Sequence, residues 1–180
     1  MSPEPFSGVA SHEPTRHHIL SVLVENKAGV LSRVAGLFAR RGFNIYSLAV
    51  APSQDDRRFS RITIVVDAED TPISQITAQL NKLINVVEIH DMTPGAAVER
   101  ELLLATISSA TMTEAEAREL AASLGGEVID VTTQGLSLMV AGTPSQVDSA
   151  EHALDSRGVR ELHRTGRIAL PRLSNLGAEG

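Results

Sequence analysis

The chain of 180 residues contains no cysteine and no tryptophan, and its aromatic residues are four phenylalanines and one tyrosine. The absence of cysteine excludes disulfides, thiolate catalysis and cysteine metal sites. Hydrophobic residues nevertheless make up 42% of the chain, which is enough to bury substantial cores. Because aromatic residues are so scarce, we expect these cores to consist of Val, Ile, Leu and Ala.

Positive charge and long apolar runs are also scarce. The net charge is -6, which argues against nucleic acid as a main partner. No apolar run approaches the roughly 20 residues that a membrane-spanning helix needs, so we expect no contact with a membrane. Residues 1–16 lack the apolar segment of a signal peptide and are rich in Pro, Ser, Gly and Glu, so they predict a disordered arm on a cytoplasmic protein.

The residues that usually carry catalysis or bind metals are present without a pattern. The six histidines show no helical pair and no His-x-x-His spacing, so we expect no metal site. Ser32 lies near Gly29 but lacks a nucleophile-elbow motif and a partnered base. We therefore expect a chain that is not an enzyme, and we assign it no catalytic residue.

Hydrophobic periodicity in the first half alternates between two and 3.6 residues. It predicts an amphipathic helix from Val30 to Arg41 that ends at Gly42, and a second helix with Thr71 as N-cap and Pro72 at its first position. The apolar stripe of the second helix is predicted to contain Ile73, Ile76, Leu80, Leu83 and Ile84. Strands are predicted at residues 19–24, 43–51, 62–66 and 86–92.

The second half is predicted to repeat this order after a linker at residues 95–97. A capping box at Thr113 and a Thr143-Pro144 pair predict the helix starts, and Gly125-Gly126 predicts the end of the first of these helices. Strands are predicted at residues 101–108, 128–132, 136–141 and 159–170. Each half is thus βαββαβ, and the fold class is α+β with two tandem ferredoxin-like domains. A single doubly wound sheet is not favoured, because strand pairs joined only by loops cannot be parallel neighbours.

The most informative segment is residues 25–33, where a strand turns through Gly29 into a helix. A helix start leaves N–H groups without partners and favours a carboxylate, and Asn26 adds an amide that both donates and accepts. A free amino acid would suit this arrangement. A plain strand-to-helix turn with Gly and Asn explains it almost as well.

Asn44 is a second candidate site residue. Asn is disfavoured inside strands, and Asn44 lies near the start of a predicted one. It is either a turn residue just inside the strand or a polar anchor for a ligand ammonium group.

Residues 19–34 followed by residues 37–45 closely resemble the regulatory (small) subunit of acetohydroxyacid synthase, also called acetolactate synthase. The match covers roughly residues 17–171. It extends through residues 47–50, 60–65, 75–84, 98–102 and 129–132.

The resemblance implies an ACT amino-acid-binding domain at residues 17–94, an ACT-like domain at residues 95–171 and a tail at residues 172–180. It further implies a homodimer that activates the catalytic large subunit and conveys feedback inhibition by valine or a related branched-chain amino acid. Thiamine diphosphate, Mg and FAD are expected in that catalytic partner and not in this chain. The implied effector residues, with the two asparagines from opposite chains, are Asn26, Gly29, Val30, Leu31, Asn44 and Ile45.

The chain departs from the family pattern at Tyr46, and a second family remains an alternative. Tyr46 stands where the family usually has an acidic residue. A tandem-ACT regulator of another system, of the glycine-cleavage repressor type, shares the length, the acidity and the repeated order, and is the alternative. One methylene in an apolar pocket is worth only about 1–3 kcal/mol, so the sequence does not rank valine, leucine and isoleucine as effectors.

Overall fold

The computed structural model describes residues 17–67, 72–92 and 95–175, so the predicted arm at residues 1–16 lies outside the described residues. The first domain is one antiparallel sheet with strand order β2-β3-β1-β4 and two helices. Its elements are β1 (His17–Glu25), α1 (Val30–Arg41), β2 (Ile45–Pro52), β3 (Phe59–Asp67), α2 (Ile73–Leu80) and β4 (Val86–Met92).

The second domain repeats this arrangement with strand order β6-β7-β5-β8, and a further strand, β9, pairs with the first residues of β5. Its elements are β5 (Ala97–Ser108), α3 (Glu114–Ser123), β6 (Gly126–Val131), β7 (Gly135–Gly142), α4 (Pro144–Asp155), β8 (Val159–Arg164) and β9 (Ile168–Pro171), followed by a 3₁₀ turn (Leu173–Asn175). The two tandem ferredoxin-like units predicted from the sequence are confirmed.

Each sheet buries one face under its own helices. In the first domain, alternate residues of β1 (Leu20, Val22 and Val24) meet the buried stripe of α1, which includes Val34 and Phe38. The buried residues of the second core include no aromatic residue, whereas the otherwise aliphatic first core also contains Phe38. Full burial of each such side chain contributes about 1.5–3 kcal/mol, so both cores are stabilised mainly by many aliphatic contacts.

The local signals at most helix ends are confirmed. Gly42 adopts the left-handed conformation after α1, and complete capping boxes begin α3 at Thr113 and α4 at Thr143, with Pro144 in the first turn. The second predicted start is wrong in detail, because Pro72 is the N-cap residue of α2 and Thr71 lies outside the described residues.

The end of α2 also differs from the prediction. The helix stops at Leu80, and the chain then forms two successive turns, in which Leu83 N–H donates to the Leu80 carbonyl and Val86 N–H to the Leu83 carbonyl. These turns keep Leu83 packed on the first core but direct Ile84, predicted to share the apolar stripe, into solvent with 91% of its surface exposed.

The junction between the domains is more structured than predicted. Ala97 belongs to β5 and not to a linker, and the single strand predicted at residues 159–170 is two strands separated by residues 165–167. Gly126, predicted to follow a helix, is the first residue of β6. Between the two domains lies a small buried cluster formed by Ile19, Val65, Met92, Ala97 and Ala169.

Candidate functional site

The loop between β1 and α1 has the geometry of an open helix start. Gly29 is the N-cap residue with φ 82°, and no side chain caps the helix. Val30 N–H donates weakly to the Lys27 carbonyl (3.3 Å) and Arg33 N–H to the Gly29 carbonyl (3.0 Å), which leaves the amides of Leu31 and Ser32 without a backbone acceptor among the described residues. A Cβ built on Gly29 would meet no atom within 4 Å, so the space beside the N-cap residue is open.

Asn26 joins this loop to the connection between β2 and β3. Its backbone N–H donates to the Arg58 carbonyl (2.7 Å) and its Nδ2 donates to the Arg57 carbonyl (3.1 Å). The side chain is exposed, and its Oδ1 accepts no hydrogen bond in the described part of the chain. Asn26 therefore has a structural task and still offers an acceptor to a ligand.

Asn85, which the sequence analysis did not single out, braces the loop from the other side. Its Oδ1 accepts from Arg33 Nη1 (2.6 Å), its Nδ2 donates to Glu25 and its carbonyl accepts from Glu25 N–H (2.9 Å). Hydrogen bonds from Lys27 and Asn85 hold the pKa of Glu25 below its ordinary value. No sequence pattern identifies Asn85, because its partners lie 52 and 60 residues away.

The predicted apolar site residues differ in what they present. The Val30 side chain is 4% exposed and belongs to the first core, so only its backbone can face a ligand. Leu31, in contrast, is 42% exposed on the first turn of α1. Ile45 is half-buried against the same core at the start of β2.

Asn44 lies immediately before β2, so the prediction that it is inside a strand is wrong, and the strand-propensity argument for it does not apply. Its Nδ2 donates to Asp67 Oδ2 over 2.6 Å. Asp67 is the register partner of His17, at the opposite end of β1 from Asn26. At about 3.3 Å per residue, these two ends are roughly 26 Å apart. A single chain therefore does not bring Asn26 and Asn44 into one site.

Tyr46 contacts the second domain. Its ring centroid lies 4.1 Å from that of His17, and the guanidinium carbon of Arg167 lies 5.8 Å from it. In the sequence, Tyr46 differs from the family pattern, but nothing there indicates this contact.

In the part of the chain that the structure describes, no group of three or more His, Asp or Glu side chains is arranged to hold a metal ion. Within the same residues, every helix is too short or too polar to cross a membrane.

Comparisons with known proteins extend over both domains. Residues 20–88 match the family model described as the AHAS small subunit-like ACT domain, and residues 100–173 match the one described as the small subunit of acetolactate synthase. The acetolactate synthase small subunit of Mycolicibacterium smegmatis (strain ATCC 700084 / mc(2)155) is 43% identical over 158 residues, which cover 88% of this chain and 92% of that protein.

A probable acetolactate synthase small subunit of Methanothermobacter thermautotrophicus is 40% identical over 156 residues, with 86% of this chain and 92% of that protein covered. Among solved structures, the acetolactate synthase small subunit of Thermotoga maritima superimposes with a TM-score of 0.80 at 37% identity, covering 87% of this chain and 98% of that one.

Proposed function

Because this chain belongs to the family of acetolactate synthase small subunits, we propose that it senses a branched-chain amino acid and adjusts the activity of the catalytic large subunit. The family is regulatory and its ACT domains are not a catalytic fold, so the chain is not itself an enzyme. The alternative, a tandem-ACT regulator of another system, is not favoured because both halves match models of this family.

The open start of α1 is the observation that supports an amino-acid effector. The Leu31 and Ser32 amides have no backbone acceptor among the described residues and lie at the positive end of the helix dipole, where a carboxylate is favoured. From the same loop, Asn26 Oδ1 would accept a hydrogen bond from an ammonium group. The exposed Leu31 side chain adds apolar surface for a branched aliphatic chain.

A homodimer would complete this site. β2 is an edge strand of the first sheet, and it pairs only with β3 among the described strands. If two copies place their β2 strands side by side and antiparallel, the start of one strand lies beside the end of the other. The end of β2 leads into the connection that Asn26 binds, so Asn44 of one copy would approach Asn26 of the other.

Regulation then follows from linkage. An effector that binds one arrangement of the dimer more tightly shifts the population toward it, and the catalytic subunit responds to that arrangement. The coupling is reciprocal in binding, so association with the catalytic subunit changes the affinity for the effector. We assign no cofactor to this chain; thiamine diphosphate, Mg and FAD are expected in the catalytic partner, and a cytoplasmic location is expected for both.

The test is a reconstitution with the candidate catalytic subunit. Acetolactate formation is measured with and without this chain, and the activated mixture is titrated with L-valine, L-leucine and L-isoleucine in separate series. We expect activation by the chain alone and inhibition by at least one of the amino acids. Failure to activate would contradict the regulatory assignment, and activation without any inhibition would contradict only the effector site. Sedimentation of the chain alone checks the homodimer.

A further inference from the structure

We propose that Tyr46 and Arg167 couple the effector site to the second domain, through a continuous series of contacts that runs from Asn44 to α4. The inference rests on the proposed function, because Asn44 is one of the proposed effector residues. It names the regulatory route, for which the sequence and the family resemblance give no residues.

The first part of the route lies within the first domain. Asn44 donates to Asp67 over 2.6 Å, and His17 Nε2 lies 3.1 Å from Asp67 Oδ1. The His17 ring in turn stacks at a tilt on Tyr46. A ligand that bonds to Asn44 therefore competes with, or reorients, the hydrogen bond to Asp67, whose other carboxylate oxygen lies against His17.

The second part crosses between the domains at residues 165–167. Arg167 N–H donates to Ser47 Oγ over 2.7 Å, and its guanidinium lies over the Tyr46 ring. A Cβ built on Gly166 would lie 2.1 Å from the Leu48 carbonyl oxygen, so the two backbones are already in contact. If β2 moves, residues 165–167 must move with it, because otherwise these contacts break.

The third part lies within the second domain. Arg167 donates from Nε to Glu101 Oε1 (3.0 Å) and from Nη1 to Glu99 Oε2 (2.8 Å). The Glu101 side chain is only 3% exposed and that of Arg167 only 8%. Separating such a pair leaves an uncompensated buried charge, which is strongly unfavourable. Arg167 and Glu101 are therefore expected to move together.

Through Arg164, Glu101 is also linked to α4. Its other carboxylate oxygen bonds to Arg164, which also pairs with Asp148 (2.7 Å) and Glu151 (3.0 Å) on that helix. Burial opposes the charged form of Arg164, but the hydrogen bonds to Glu101 and Asp148 raise its pKa above the ordinary range. The guanidinium of Arg164 therefore stays charged and bonded to both Glu101 and α4.

The experiment measures coupling directly. The probe is whichever of L-valine, L-leucine and L-isoleucine binds the wild-type chain most tightly. Its Kd is determined by calorimetry for the free chain and for the complex with the catalytic subunit, and the ratio of the two values is the coupling factor. Because each ratio uses the variant's own free-chain Kd, a direct effect on binding cancels.

Tyr46→Leu removes the aromatic face, and Tyr46→Phe is the matched control that keeps it. Ser47→Ala removes the acceptor of Arg167 N–H without leaving a buried charge, and serves if Tyr46→Leu does not fold. Arg118→Ala is the control outside the route, since it breaks an exposed Arg–Glu pair on α3 of the same domain.

In wild type we expect a coupling factor of roughly 5- to 150-fold. Tyr46→Leu and Ser47→Ala should bring it closer to one by about 2- to 30-fold, while Tyr46→Phe and Arg118→Ala match wild type. Wild-type coupling in both Tyr46→Leu and Ser47→Ala overturns the route alone. A wild-type chain that binds none of the amino acids, or whose factor is one, overturns the proposed function and the route with it.

Discussion

Arg167 N–H donates to the Oγ of Ser47 over 2.7 Å, although the two residues are 120 positions apart in the chain. Ser47 belongs to β2, the edge strand that starts beside Asn44, and Arg167 belongs to the connection between β8 and β9. The contact therefore joins the strand that carries half of the proposed effector site to the second domain. In the proposed mechanism, the relative position of the two domains therefore contributes to regulation.

Gly166, beside this hydrogen bond, has no room for a side chain. In Gly166→Ala the new Cβ would lie 2.1 Å from the oxygen and 2.5 Å from the carbon of the Leu48 carbonyl, and a backbone group cannot swing aside. We expect the domains to separate slightly at this point, at a cost of about 1–3 kcal/mol. Hydrogen–deuterium exchange should show lower protection in residues 45–52 and 97–100.

The control for this variant is Gly36→Ala on α1, where the added Cβ would meet only the flexible end of Arg40 at 3.2 Å. This second variant should be slightly more stable than wild type, by up to about 1 kcal/mol, because Ala is the better helix former. Equal protection of the domain junction in Gly166→Ala and wild type would show that the close approach is not a constraint.

Gly29, in contrast, has space for a side chain but a left-handed backbone conformation that other residues rarely adopt. Its φ of 82° strains any L side chain, so Gly29→Ala should lose about 1–2 kcal/mol of folding stability. Gly29 is also the N-cap residue of the proposed carboxylate site, so this strain should disturb the site and effector affinity should fall about tenfold, or ~1.4 kcal/mol. Urea unfolding and calorimetric titration measure the two effects, and unaltered affinity would place the carboxylate elsewhere.

The sequence predicts the features of this protein that depend on neighbouring residues. The glycine turn at Gly29, the end of α1 at Gly42 and the capping boxes at Thr113 and Thr143 follow from backbone geometry and from side chains three residues apart. The two repeated domains follow from the same local patterns.

Contacts between distant residues were not predictable in this way. The burial of Arg167 and its hydrogen bond to Ser47 depend on how β9 pairs with β5 and how that ribbon packs on the first domain. Tyr46 acquires its role only from that arrangement, and Asn85 only from its distant partners Glu25 and Arg33 within the first domain. The prediction for Ile84 is wrong because two turns follow Leu80, and in these turns the helical period no longer applies.

Asn26 is the effector residue whose replacement tests the site most directly. Asn26→Ala removes the Oδ1 acceptor and the bond from Nδ2 to the Arg57 carbonyl. A hydrogen bond to a charged group is worth about 1.5–3 kcal/mol, so effector affinity should fall roughly 10- to 100-fold. The chain should still activate the catalytic subunit, because the variant leaves both cores and the domain junction intact.

The matched control is Asn81→Ala, an exposed asparagine at the end of α2. It should retain both activation and inhibition in the reconstituted enzyme. Full sensitivity of Asn26→Ala to the amino acid that inhibits wild type would rule out this residue as a ligand.

Glu25 links the stability of the effector loop to pH. Hydrogen bonds from Lys27 and Asn85 lower its pKa from the ordinary value of 4.5. The contribution of a carboxylate with a lowered folded-state pKa is fully present above the unfolded-state value and is lost as the pH falls through the folded-state value. The loop should therefore lose stability below about pH 4.5. In Glu25→Gln this component is absent, so the fall in unfolding free energy between pH 5 and pH 3 should be shallower than in wild type.

Glu127→Gln is the control, because Glu127 makes no ion pair in the described part of the chain. Urea unfolding measures the unfolding free energy of each protein across this pH range. If the free energies of Glu25→Gln and wild type fall in parallel, the bonds of Glu25 to Lys27 and Asn85 do not persist in solution.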